Sequence, residues 1–201
     1  MKRGNPNAPR EGDRIRVDPI RSMDDIKAIA KMLWDNPRDH LLFVLGVNNG
    51  LRVGDLLKLK VKDVRYLKGG DSLIIKEGKT NKQNVLAINK KVYAALTHYF
   101  ETLKPHDDDY LFKSMRGSNK ALSIQAVNNY IKRWTKAINL RGNYGCHSLR
   151  KSWGYQMRTK YGVGFEIICK RFNHSSPRVT MAYLGITDAE VNGVLFNNEV
   201  G

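Results

Sequence analysis

Two long stretches of helical period flank a short segment, residues 64–88, where the pattern changes to that of strands. This change does most to limit the fold. Val64 to Leu67 and Ser72 to Lys76 are apolar-rich runs separated by Lys68-Gly69-Gly70, whose paired glycines suit a tight turn. Glu77 to Asn84 is polar and carries Gly78, and Val85-Leu86-Ala87-Ile88 offers one more strand. The expected fold class is therefore α+β: mainly α, with a small three-stranded antiparallel sheet.

The helices carry their own punctuation. Ser22 reads as an N-cap with Asp25 three residues on, and Ile26, Ile29, Ala30, Leu33 and Trp34 follow on one helical face. Pro37 suits the first turn of a second helix, whose run Leu41 to Val47 is too apolar all round to be exposed. Gly50 stops it, and a short helix is expected over 53–58. Beyond the sheet, Val92, Ala95, Leu96, Tyr99 and Phe100 resume the helical period, and Asp107-Asp108-Asp109 marks a loop. An amphipathic helix over about 123–138 carries Val127, Ile131, Trp134 and Ile138. Short helices are expected over 147–159, 165–172 and 177–184, the last capped by Ser176. Thr187 with Glu190 offers a capping box for a terminal helix bearing Val191, Val194 and Leu195.

Three zones result. Residues 1–21 hold Pro6, Pro9, Pro19 and six basic residues without apolar period, and are expected to form a flexible basic arm. Residues 22–184 form one domain. Residues 185–201 form a tail whose short apolar face is expected to dock on a neighbouring protomer.

Charge points to the partner. The 201 residues include 35 Lys+Arg against 19 Asp+Glu, a formal net charge of +16. Such a surplus suits a polyanion, and for a soluble domain nucleic acid is the commonest. Cys146 and Cys169 lack metal-ligand spacing and are too few for a disulfide framework, which fits a reducing cytosol. No apolar run approaches a membrane span, so the expectation is a cytoplasmic protein with no membrane partner.

Candidate chemistry is spread along the chain. Arg52 follows the helix break at Gly50 and can fork two N–H groups onto phosphate oxygens, with Asp55 one turn later to hold its guanidinium. Alone, the pair would read as a surface ion pair. Lys79 and Lys82 lie in Gly78-Lys79-Thr80-Asn81-Lys82, a hairpin tip able to enter a DNA groove, where an ammonium could protonate a departing sugar oxygen. Alone, Lys79 would read as solvated turn. His147 and Arg150 share a face near a helix start, followed by Lys151, while His174 sits between two helices. A lone His-x-x-Arg is weak, and a loop histidine is often a cap. Tyr183 is one of nine tyrosines, most of which pack. Its hydroxyl needs neighbouring positive charge to become a useful nucleophile.

Taken in order, Arg52, Lys79, His147, Arg150, His174 and Tyr183 give one nucleophile and five groups able to bind or protonate a phosphate, which is what phosphoryl transfer asks of a protein. The set resembles the catalytic domain of tyrosine recombinases, the phage integrase family. The first family box is similar to Asn49-Gly50-Leu51-Arg52-Val53-Gly54-Asp55-Leu56-Leu57, the hairpin lysine to Lys79, the second box to His147-Ser148-Leu149-Arg150. His174 with Tyr183 nine residues on completes it. Phe172-Asn173-His174 stands where Leu-Gly-His is usual, and Lys151 where His is common.

The resemblance implies a site-specific recombinase of integrase or invertase type, cleaving double-stranded DNA through a 3′-phosphotyrosyl intermediate without metal, ATP or other cofactor. It implies Arg52, His147, Arg150 and His174 around the phosphate, Tyr183 as nucleophile, and Lys79 as proton donor. Asp55 would support Arg52, and Lys82 and Lys151 would contact DNA. It also implies a homotetramer on two DNA sites, with accessory DNA-bending or directionality factors. Most members carry an N-terminal core-binding domain, for which residues 1–21 are too few, so a catalytic domain standing alone or excised is expected. Three alternatives remain at this point: a type IB topoisomerase, a non-catalytic DNA-binding regulator on the same scaffold, and, remotely, a metal-dependent nuclease using Asp107-Asp108-Asp109.

Overall fold

A computed structural model describes residues 16–115, 117–186 and 196. In chain order these form α1 (Met23–Met32), α2 (Pro37–Asn49), α3 (Val53–Leu56), α4 (Val61–Val64), β1 (Ser72–Lys76), β2 (Gln83–Ala87), α5 (Lys90–Leu103), α6 (Ile124–Ala137), α7 (Cys146–Thr159), α8 (Phe165–Phe172) and α9 (Pro177–Leu184). The structure is mainly helical with a small antiparallel sheet. The expected arm over 1–15 and the terminal helix after Thr187 lie outside the described residues.

Local chemistry explains the boundaries. The Ser22 hydroxyl accepts from the Asp24 and Asp25 N–H groups and starts α1. Asn36 caps α2 through the Asp39 N–H, with Pro37 in the first turn. Gly50 ends α2 at φ 59°, and a Cβ there would come within 2.7 Å of the Trp153 ring. Only glycine fits both the left-handed backbone and the ring.

Helix α2 lies in the middle. Its Leu41, Leu42, Phe43 and Leu45 are at most 1% exposed, and it packs against α5 on one side and α7 on another. Each such side chain contributes roughly 1.5–3 kcal/mol by leaving water. A second apolar cluster, Ile168, Phe172 and Leu184, joins α8 and α9 to α7, with Trp153 and Tyr183 packed against it. There α7 comes unusually close: a Cβ on Gly154 would lie 2.7 Å from the Phe172 ring and 2.8 Å from Leu184.

The sheet has two strands where three were expected. β1 and β2 pair antiparallel from Ser72 with Ala87 to Lys76 with Gln83. Val64, expected to begin a strand, instead ends α4. The Asp63 carboxylate accepts from the Lys60 N–H at 2.7 Å, and the Val61 and Lys62 N–H groups donate to the Asp109 and Asp107 carbonyls. Val61 and Val64 are both buried, so apolar residues at helical spacing mimicked a strand run.

Residues 16–21, expected within a flexible arm, are held along α7. Ile20 is fully buried, and its N–H donates to Ser152 Oγ at 2.7 Å. Gln156 donates to the Arg21 carbonyl at 2.6 Å, and Arg21 Nη2 to the carbonyl of Gly185 at 3.1 Å. The Asp107-Asp108-Asp109 loop is divided among three cations: Arg65, Lys62 at 2.9 Å and Lys113 at 2.7 Å respectively. Among the described residues, no helix is long and apolar enough to cross a membrane.

Candidate active site

Arg52 is the N-cap residue of α3, three residues beyond α2. Its place is fixed from behind by Asn49, whose side chain pairs with β2 as a strand residue would: Nδ2 donates to the Ala87 carbonyl at 3.2 Å and Oδ1 accepts from the Ala87 N–H at 2.7 Å. Asp55, expected to hold the Arg52 guanidinium, turns elsewhere. Its Oδ1 accepts from the Gly78 N–H at 2.8 Å and lies 3.6 Å from Lys58 Nζ. The carboxylate beside Arg52 is that of Glu77, fully buried, with Oε2 2.6 Å from Nη1. This is an ion pair without hydrogen-bond alignment, so the Nη1 donors remain unsatisfied among the described residues.

Arg150 is 2% exposed. Nη1 donates to the Gly50 carbonyl at 2.7 Å and Nη2 to the Phe172 carbonyl at 2.6 Å, with the Phe172 ring 4.3 Å beneath. It therefore ties the end of α2 to the end of α8. Burial brings its pKa down to about 10. Arg171 does related work: Nε and Nη2 donate to the Asn49 carbonyl and Nη1 to Asn84 Oδ1 at 2.7 Å.

Tyr183 lies in the last turn of α9. Its hydroxyl is 3.2 Å from His147 Nδ1, and its ring meets His174 edge-on at 5.0 Å and Phe172 at 5.5 Å. Burial raises the phenol above its ordinary value, while Arg150 and Arg52 draw it back down. His147 is held below its ordinary value by burial first, then by Arg150, Arg52, Lys151 and Lys79. His174 is pushed down to about 4 by burial and the same two arginines, and its Nδ1 lies 3.0 Å from Thr180 Oγ1. At neutral pH both imidazoles are uncharged and the phenol keeps its proton. Lys151, expected to contact DNA, is 6% exposed, with Nζ 4.9 Å over the Tyr183 ring. An ammonium on that ring face favours a developing phenolate.

Lys79 is exposed in the turn between β1 and β2. It lines an open cleft of about 470 Å³ with Arg52, His147 and Arg150. A neighbouring hollow of about 370 Å³ is lined by Tyr183, Lys151, Arg16 and again His147. His147 thus stands between the cationic cleft and Tyr183. Lys82 is exposed in the same turn but outside the cleft lining. The structure brings Arg52, Lys79, His147 and Arg150 to one cleft, and Tyr183, which lines the neighbouring hollow, joins them through His147 and packs on His174, which lines neither.

Sequence reasoning missed Glu77, Arg171, Asn84 and Thr180. The only sequence signal for Glu77 was an acid two residues before Lys79 in a turn otherwise basic.

Comparison with known proteins supports this reading. Residues 22–190 match the phage integrase family profile. The chain is 37% identical over 175 residues to the probable integrase/recombinase YoeC of Bacillus subtilis, covering 86% of this chain and 91% of YoeC. It is 33% identical over 165 residues to the tyrosine recombinase XerA of Pyrococcus horikoshii, covering 82% of this chain and 55% of XerA. The fold is similar to that of the site-specific recombinase XerH bound to its palindromic difH substrate after cleavage, with a TM-score of 0.72 at 20% identity, over 93% of this chain and 55% of XerH. The chain thus spans nearly all of YoeC but about half of the other two. A profile match over most of the sequence, with a relative 37% identical along nearly its whole length, places this chain in the phage integrase family of tyrosine recombinases.

Proposed function

We propose that the protein is a site-specific DNA recombinase that breaks and rejoins strands through Tyr183. The observation that carries this is the 3.2 Å approach of the Tyr183 hydroxyl to His147 Nδ1 beside the Arg52 and Arg150 guanidinium groups. The two arginines and His174 hold the non-bridging oxygens of a scissile phosphate and the charge that develops on them. The Tyr183 oxygen attacks phosphorus as its proton passes to the neutral His147. The bond to the 5′ oxygen breaks, and Lys79 supplies the proton that oxygen needs. The 3′-phosphotyrosyl ester keeps the energy of the phosphodiester, so a 5′-hydroxyl from a second strand reverses the step without ATP.

Double-stranded DNA is the substrate in this reading, with four protomers on two duplexes, assisted by DNA-bending or directionality factors, in the cytoplasm. The XerH complex with difH supports the DNA partner. We assign residues 185–201 to contact between protomers, on the apolar pattern of Val191, Val194 and Leu195. Lys82, beside Lys79 in an exposed turn, is assigned to the DNA backbone.

The test is a nicked suicide substrate, from which the cleaved end diffuses away and traps the covalent adduct. Wild-type protein accumulates the adduct. Tyr183→Phe forms none, yet binds the same DNA within about 3-fold, because only the attacking oxygen is lost. An adduct surviving that change refutes Tyr183 as nucleophile. Relaxation of any supercoiled plasmid without exchange between two sites would replace recombination by topoisomerase activity.

A further inference from the structure

A carboxylate beside a phosphate-binding arginine is a liability, because it cancels charge and repels the substrate. Glu77 is in that position and fully buried, 2.6 Å from Arg52. Its two oxygens face different neighbours. Oε2 takes Arg52 and also accepts from the Thr80 hydroxyl at 2.6 Å. Oε1 accepts from Asn84 Nδ2 at 2.9 Å, and Asn84 is itself joined to Arg171. The Glu77 backbone closes the turn as well: its N–H donates to the Lys82 carbonyl at 2.9 Å and its carbonyl accepts from Asn81 at 3.0 Å.

Lys79 lies inside that turn, one residue from Thr80. Its own side chain is long and exposed, so its aim depends on where the turn is held. Asp55 fixes one flank through Gly78, and Glu77 fixes the other through Thr80. The Glu77 carboxylate also pairs with the Arg52 guanidinium. One buried group therefore spans the distance between the phosphate-binding cation and the turn that bears the proton donor.

We propose that Glu77 is a positioning residue that sets Arg52 and the Lys79-bearing turn relative to each other, so that phosphate binding and leaving-group protonation are aligned as one unit. This rests on the recombinase reading above. Its geometric gain must outweigh the electrostatic loss, since removing the carboxylate would otherwise improve binding of an anion. The Asn84 and Arg171 bonds keep the carboxylate from swinging toward the phosphate.

The experiment uses the full chain on two nicked suicide duplexes, one ordinary and one with sulfur at the 5′ bridging position, a leaving group that needs no proton. Wild type, Tyr183→Phe, Glu77→Gln, Glu77→Asp and Thr80→Val are compared for single-turnover cleavage, DNA affinity and thermal midpoint. Glu77→Gln should slow cleavage about 100-fold on both substrates, as a misplacement of about 1 Å does, with affinity changed less than about 3-fold. Glu77→Asp keeps the charge but cannot reach both partners, and should be slow as well. Thr80→Val leaves Arg52 held and frees only the turn. It should slow ordinary DNA about 10-fold and recover on the sulfur substrate, since loss of one hydrogen bond is worth about 1 kcal/mol or somewhat more.

Wild-type cleavage of ordinary DNA by Thr80→Val overturns the proposal, and this variant decides the matter even if Glu77→Gln does not fold. So does a parallel fall of rate, affinity and thermal midpoint in the Glu77 variants, which would make the group a support of the fold alone. Absence of a wild-type adduct removes the recombinase reading and this proposal together. A wild-type adduct with unaffected Glu77 and Thr80 variants removes the positioning role alone.

Discussion

His147 Nδ1 lies 3.2 Å from the hydroxyl of Tyr183, with the ring planes nearly perpendicular. Each partner is shifted in the direction that keeps it uncharged: burial lowers the imidazole and raises the phenol. Both partners are uncharged at neutral pH, the state from which the proposed proton transfer starts.

Cleavage should therefore depend on a deprotonated His147. The rate should fall as pH drops through a value below 6.5 and stay flat from there through neutrality, because His147 is already neutral. His147→Ala should remove this acid limb and slow cleavage by roughly 10²–10⁴-fold. Single-turnover rates between pH 5 and 8.5 on the suicide substrate provide the check. An acid limb unchanged in the variant assigns it to another group.

Lys79 has a separable role. Lys79→Ala should cut cleavage of ordinary DNA by about 100-fold or more, yet approach the wild-type rate when the 5′ bridging oxygen is sulfur. Equal impairment on both substrates would mean that Lys79 binds DNA and does not donate the proton.

Gly154→Ala tests how α7 carries α9 and Tyr183. The added methyl would meet the Phe172 ring at 2.7 Å and Leu184 at 2.8 Å, both fully buried and unable to withdraw. Overpacking of this kind costs about 1–3 kcal/mol. Urea denaturation should register that loss. Cleavage should suffer beyond it, since Phe172 also contacts Arg150, His174 and Tyr183.

Acid should weaken the fold in two stages. His174 is depressed to about 4 from 6.5, so between those values the unfolded chain takes up a proton that the folded site refuses, and stability falls as pH drops. Burial alone would raise Glu77, but Thr80, Asn84, Arg52 and Asn173 together hold it at about 2 against an ordinary 4.5. Its stabilisation is present above 4.5 and disappears as pH falls toward 2, amounting to about 3 kcal/mol at most. Urea midpoints at pH 7, 5, 4 and 3 measure this. His174→Gln should flatten the upper stage and Glu77→Gln the lower.

The sequence announced what depends on nearest neighbours along the chain. Ser22 and Ser176 cap the helices they begin, Pro37 opens α2, and Gly50 ends it. It also offered six candidate groups, Arg52, Lys79, His147, Arg150, His174 and Tyr183, because their order and spacing are distinctive. It did not give partners chosen across space. Asp55 looked like the companion of Arg52 from its place one turn on, yet Glu77, far along the chain, holds that place because β1 runs back past α3. Arg171, in the last turn of α8, gave no sequence signal, and only the fold shows it bonded to Asn49. Val64 misled for a physical reason: with Val61 it makes a two-residue apolar stripe, too short to show its period. Residues 16–21 carry the composition of a loose arm, but Ile20 finds a closed pocket on α7.

Arg150 leaves one consequence. Two of its nitrogens are spent on the carbonyls that finish α2 and α8, so the cation proposed to face the phosphate is also the pin of a joint. Replacing it with methionine would remove the charge and unlatch the housing in the same stroke. The polypeptide cannot retune that charge without reseating the helices on either side of it.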